Sequence, residues 1–136
     1  MDVTPRSVIV KVTGDTSGTE FAGTFKVKPL LSHGEQMEVD RIRREILGPR
    51  PSDATPRAFS QATLFAECQM RIVPGEGGSP SWWRDNNGGM NLFDDNVVKT
   101  VYAQVEKVEN DFRKELADAA EAAKKEIAAV NVMAKA

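Results

Sequence analysis

Residues 94–132, DDNVVKTVYAQVEKVENDFRKELADAAEAAKKEIAAVNV, run without a glycine or a proline. Within them Val98, Val101, Val105, Val108, Phe112, Leu116, Ala119, Ala123, Ile127 and Val130 recur at steps of three and four, which places them on one face of an amphipathic α-helix. The steps average about 3.6 residues, close to a straight helix and not to a strict heptad supercoil. The stripe changes character along its length. Bulky residues up to about Phe112 predict packing on a domain, whereas beyond Leu116 the chain is rich in Ala, Glu and Lys and carries only a thin apolar line. That far end is expected to project, frayed in isolation or bundled with another chain. At the start, Asp94-Asp95 puts carboxylates where they can cap the helix and favour its positive end.

The N-terminal third supplies what the helix packs on. Ser7–Thr13 is β-branched and alternating, with Val8, Val10 and Val12 on one face. A polar connection, Gly14-Asp15-Thr16-Ser17-Gly18-Thr19, leads to Phe21, Gly23, Phe25 and Val27, which alternate with Ala22, Thr24, Lys26 and Lys28. The two runs read as an antiparallel hairpin over about 7–28. A lone hairpin is marginal in water, so its apolar face must be covered by helices or by another sheet, and its outer strand offers an edge to a partner.

Two helices are predicted between hairpin and long helix. Ser32 with Glu35 three residues on has the form of a capping box, opening a helix over about 32–47 with Met37, Val39, Ile42, Ile46 and Leu47 inward. Gly48-Pro49 stops it. Its Arg41, Arg43 and Arg44, set among Glu38, Asp40 and Glu45, read as a solvated face of exposed ion pairs. After the stiff link Pro49–Asp53, Thr55-Pro56 opens a second helix over about 56–73. Phe59, Ala62, Ala66, Met70 and Val73, widened by Leu64, Phe65, Cys68 and Ile72, make it the most buried helix expected. The fold class is therefore α+β: a hairpin and three helices, as one domain over 1–116 with a helical extension over 117–136.

Between Pro74 and Asn91 lies a loop rich in glycine, proline and asparagine that holds both tryptophans. One indole is expected to plug the junction between helices and the other to anchor a partner, since neighbours in an extended segment point opposite ways. With the apolar residues around it and on the long helix, the expected partner-binding set is Trp82, Trp83, Leu92, Phe93, Phe112, Leu116 and Ile127.

Composition narrows the function. The chain has 136 residues, 28% of them charged, and a formal net charge of −2. Its 18 basic and 20 acidic residues split as 11 and 11 before Asn91 and 7 and 9 after it. No basic surface for nucleic acid or anionic lipid is indicated. No apolar run approaches the roughly 20 residues of a bilayer span, and the N-terminus lacks the pattern of a secretory signal. The single cysteine, Cys68, suits a reducing cytoplasm and a place in the core. His33 is alone and sits at a helix start; Gly75-Glu76-Gly77-Gly78 lacks the lysine of a phosphate loop; Asp94-Asp95-Asn96 fits no calcium loop. No catalytic residue, cofactor or metal is predicted.

Several segments resemble the tail assembly chaperones of tailed bacteriophages: FAGTFKVKPLLS at 21–32, RIRREILG at 41–48, AECQMRIV at 66–73, the pair Trp82-Trp83, and NLFDDNVV before the long helix. The resemblance implies a non-enzymatic morphogenesis factor. Such a protein binds the tape measure protein or tail tube subunits and shields their apolar surfaces in the host cytoplasm. The alternative is a stoichiometric virion protein of head, neck or tail, and a homo-oligomer is compatible with either.

Overall fold

In the computed structural model, which describes residues 1–135, β1 (Arg6–Thr13) and β2 (Glu20–Val27) pair antiparallel. Val8 stands opposite Phe25, Val10 opposite Gly23 and Val12 opposite Phe21, so one face of the hairpin is apolar as its alternation predicts. Gly18, at φ +72°, supplies the left-handed residue of the connecting turn. The free edge of β2 is largely used within the chain. Val73 N–H donates to the Lys26 carbonyl at 2.9 Å, and the Lys26 and Lys28 N–H groups donate to the carbonyls of Gly78 (2.9 Å) and Arg71 (2.7 Å).

The first helix, α1 (His33–Leu47), opens with the capping box in full: Glu35 N–H donates to Ser32 Oγ and Ser32 N–H to the Glu35 carboxylate. It ends at Gly48, whose φ of +85° suits glycine. A short 3-10 turn at Pro51–Asp53 leads to α2 (Pro56–Arg71), capped by Thr55 Oγ1, which accepts from Ala58 N–H. The helix stops at Arg71, two residues before the predicted end, because Ile72 turns extended and bridges to Val27. Leu31, Val39, Ile42 and Ala66 form the joint between α1 and α2.

The loop after α2 holds one further turn, α3 (Ser81–Arg84), and the chain then enters α4 (Asp95–Lys135), 41 residues long. At 1.5 Å per residue α4 is about 60 Å from end to end. It runs antiparallel to β1. Near its start Asn96 Nδ2 donates to the Thr13 carbonyl at 2.8 Å, and further along Arg6 pairs with Glu115 and lays its guanidinium over the Phe112 ring at 5.1 Å. The main core lies between: Val10, Phe25 and Val27 of the hairpin, Cys68 and Ile72, Trp83, and Val98, Val101, Val105 and Val108 of α4.

Two expectations are corrected. The helix that buries most is α4 and not α2, because the hairpin lies along the valine stripe while α2 meets the core with small residues, Ala62, Ala66 and Cys68. Met37 (72% exposed) and Phe59 (46%) lie outside, the latter under the Arg43 guanidinium at 4.9 Å. Through Met133 the last buried residue of α4 is Phe112, the point to which its bulky residues predict packing, and every residue from Arg113 to Met133 is exposed. Ala136 lies outside the described residues.

Candidate contact surface

Trp83 is 4% exposed and belongs to the core. Its ring meets Phe25 edge-to-face at 5.6 Å, and the backbone at Gly89 closes over it so tightly that a Cβ there would stand 2.5 Å from the indole. Gly89 has φ +86°, so a side chain at that position is opposed by both strain and space. Trp82 is half-buried. Its Nε1 donates to the Ala22 carbonyl at 3.0 Å, and its ring sits edge-on to Phe21 at 5.0 Å and Phe25 at 5.7 Å. The tryptophans therefore do not point opposite ways from an extended segment. They share a helical turn, with ring centroids 6.2 Å apart at 86°, and both lean on β2.

The start of α4 is latched to the hairpin. Asp94 is 2% exposed, and its carboxylate accepts from the N–H groups of Thr16 (2.8 Å) and Ser17 (2.7 Å) and from Ser17 Oγ (2.8 Å). The Ser17 N–H first, then its hydroxyl and the Thr16 N–H, hold this carboxyl below its ordinary value against the opposing effect of burial. Asn96 completes the latch by accepting from Asp15 N–H at 2.9 Å. The side chain expected to cap the helix thus caps the hairpin turn, while the Asp94 carbonyl accepts from Val97 N–H.

A second tie joins α2 to α4. Arg71 lies between Glu67 (2.6 Å) and Glu109 (3.2 Å), with only 12% of its side chain exposed and Nη1 buried without a partner. Burial works against its charge, but the two carboxylates outweigh that and raise its pKa. Cys68, inside the same contact, is pushed up to about 12 by burial and then by Glu67, which makes it an inert core thiol. His33 is exposed at the first position of α1.

Of the residues expected at a partner surface, Trp83 and Phe112 (4% exposed) are consumed by the fold, and Trp82 is committed to β2. The others divide into two places. Leu92 and Phe93 border an open groove of about 720 Å³ between α2 and the start of α4, lined among others by Leu64, Phe65, Met90 and Val98. Leu92 is half-buried in its wall, and Phe93, 85% exposed, stands at its rim. Leu116 (37% exposed) and Ile127 (62%) lie on the uncovered part of α4, followed by Val130, Val132 and Met133 at 63%, 69% and 77%.

Sequence reasoning missed the groove because Leu64 and Phe65 read as core. The outer strand expected to offer an edge is β1, and on the solvent face of that strand Ile9 is 77% exposed. Among the described residues no helix is long and apolar enough to cross a membrane. Comparison with protein-family models, curated proteins and solved structures returns no match.

Proposed function

We propose that this chain is a non-enzymatic assembly factor, a tail assembly chaperone of a tailed bacteriophage that shields an apolar segment of a tape measure or tail tube protein in the host cytoplasm. The observation that carries the binding role is Phe93: a large aromatic side chain, 85% exposed, beside a groove of mixed apolar and polar walls. Exposed aromatic groups next to a concavity supply binding energy far out of proportion to their number. Arg57, Ser60, Gln61, Asp95 and Lys99 add polar and charged groups to the lining beside Leu64, Phe65, Met90, Leu92 and Val98. The phage setting rests on the sequence segments that resemble those chaperones.

The test is co-expression with a tape measure or tail tube protein. The wild-type chain raises the client's soluble fraction and co-elutes with it, and Phe93→Asp abolishes both while leaving the chain's own melting temperature within about 2 °C, as expected of an exposed position. No gain in client solubility with the wild-type chain sinks the proposal. A second reading, a stoichiometric virion protein, is favoured by the free β1 edge, which can extend a neighbour's sheet. Mass spectrometry of purified particles separates the two, since a chaperone is absent from them.

A further inference from the structure

The turn that closes over Trp83 is Asn86-Asn87-Gly88-Gly89. Among the described residues Asn87 is the one residue other than glycine with a positive φ, +54°, and Gly88 and Gly89 follow it at +61° and +86°. This left-handed run brings the Gly89 backbone against the indole, so the cap on the core depends on the turn.

Asn87 also combines, alone among the six asparagines, the conditions for attack on its side chain by the next backbone nitrogen. It is exposed, and the residue after it is a glycine with no Cβ to crowd the approach. The Gly88 N–H has no hydrogen-bond partner among the described residues. The Asn87 amide is held only through Nδ2, which donates to Met90 Sδ at 3.8 Å, a weak acceptor. Every other asparagine is restrained. Asn86 Nδ2 donates to the Trp82 carbonyl at 2.6 Å. Beyond Asn91 and Asn96 the next N–H is already bonded, Leu92 to the Gly89 carbonyl and Val97 to that of Asp94. Asn110 and Asn131 lie inside α4, where the helical ladder takes the N–H of the following residue.

From these observations we infer that Asn87 is a site of spontaneous covalent modification, converting to isoaspartate and aspartate through a cyclic imide. The Gly88 nitrogen gives up its proton to solvent hydroxide and attacks Asn87 Cγ; the N–Cγ bond forms, the Cγ–Nδ2 bond breaks, and ammonia leaves. Water then opens the ring. Opening at the main-chain carbonyl of Asn87 breaks its bond to the Gly88 nitrogen and routes the chain through Cβ and Cγ, giving isoaspartate. Opening at Cγ restores the original chain with an aspartate side chain. Only water takes part. Ring closure draws Asn87 out of the left-handed conformation, which is the costly one for a residue with a Cβ.

Isoaspartate lengthens the main chain by one carbon, about 1.5 Å, just before Gly88 and Gly89. A cap that has no room for a Cβ against the indole cannot absorb that length in place, so the turn lifts from Trp83. Both products also set a carboxylate beside Phe65 and Met90, which line the small hollow at Asn87 and the groove at Phe93 alike. The inference depends on no partner.

Incubating the full-length chain in warm, mildly alkaline buffer tests it, with peptide mapping by mass spectrometry and an isoaspartate-specific methyltransferase as probes of the product. The expected species is heavier by the exchange of an amino for a hydroxyl group, is changed at Asn87 ahead of every other asparagine, and is absent from Asn87→Gly, which keeps the left-handed turn. Its isoaspartate fraction, separated by ion exchange, melts below the fresh chain. Asn87→Asp, which has the charge without the extra carbon, melts with the fresh chain. Asn87 still intact after a time in which the urea-unfolded chain has converted, or conversion equally fast at Asn110 or Asn131, overturns the site. An isoaspartate fraction as stable as the fresh chain overturns the effect on the cap.

Discussion

Replacing Trp83 by alanine removes the one indole that the core encloses, and its cost follows from the groups it leaves behind. Trp83 is 4% exposed, its ring meets Phe25 edge-to-face, and Gly89 closes over it in a left-handed conformation that cannot easily collapse into the space. Removal of a buried aromatic of this kind costs about 3–5 kcal/mol. Set against a total stability of roughly 5–15 kcal/mol, that is a large fraction. For a chain of this size each kcal/mol moves the melting temperature by about 3–5 °C, so a fall of about 10–20 °C is expected. Trp82→Ala loses a half-buried ring and one hydrogen bond to Ala22 and should cost only about 1–2 kcal/mol. Trp82→Phe, which keeps an aromatic edge but not the N–H, should fall between it and wild type. Urea denaturation followed by far-UV circular dichroism gives all three on one scale without relying on the fluorescence the substitutions remove. A loss of under about 1.5 kcal/mol for Trp83→Ala, or a larger loss for Trp82→Ala, would refute the assignment of Trp83 as the plug and Trp82 as its half-exposed neighbour.

Two more outcomes follow from the latch and the buried thiol. Asp94 has its pKa lowered in the fold from an ordinary 3.8, so the stability it contributes is fully present above 3.8 and is lost as pH falls through the lower folded value. Asp94→Asn should therefore melt below wild type at neutral pH, with the gap between the two closing as the pH is taken below 3.8; a gap that is constant with pH would remove the charge from the explanation. Cys68, buried and raised to about 12, should resist maleimide in the native chain at neutral pH and react promptly in urea. Equal rates in the two conditions would take it out of the core.

Local features of the sequence translated directly into structure wherever the controlling interaction was itself local. Ser32 and Glu35 are three residues apart and cap α1 as their spacing predicts; Thr55-Pro56 opens α2; Val8, Val10 and Val12 face Phe21, Gly23 and Phe25 across the hairpin. The long helix was equally legible, because the periodicity of one face needs no knowledge of what covers it. Misreadings arose where a side chain answers to a distant segment. Asp94 sits where a capping residue sits, but its carboxylate is claimed by Thr16 and Ser17, more than seventy residues away in sequence. Trp82 and Trp83 were expected to diverge, and instead a turn of helix directs both onto β2, whose Ala22 carbonyl takes the Trp82 N–H. Phe59 fell on an apolar arc yet lies outside, under Arg43 of the neighbouring helix.

The same distinction sorts the expected contact residues. A periodic apolar residue reports only that its face is suited to burial; whether the chain itself supplies the cover depends on how far the hairpin reaches. Here β1, at about 3.3 Å per residue over its eight residues, spans about 26 Å, which matches about eighteen residues of helix at 1.5 Å each. Starting from Asp95, that length runs out near Phe112, the last buried position of α4. Phe112 and Leu116 differ little as sequence signals, yet the hairpin covers the first and ends before the second. The strand length of β1 thus decides where the fold stops and where the helix is left uncovered, and lengthening or shortening β1 by two residues should move that boundary along α4 by about one helical turn.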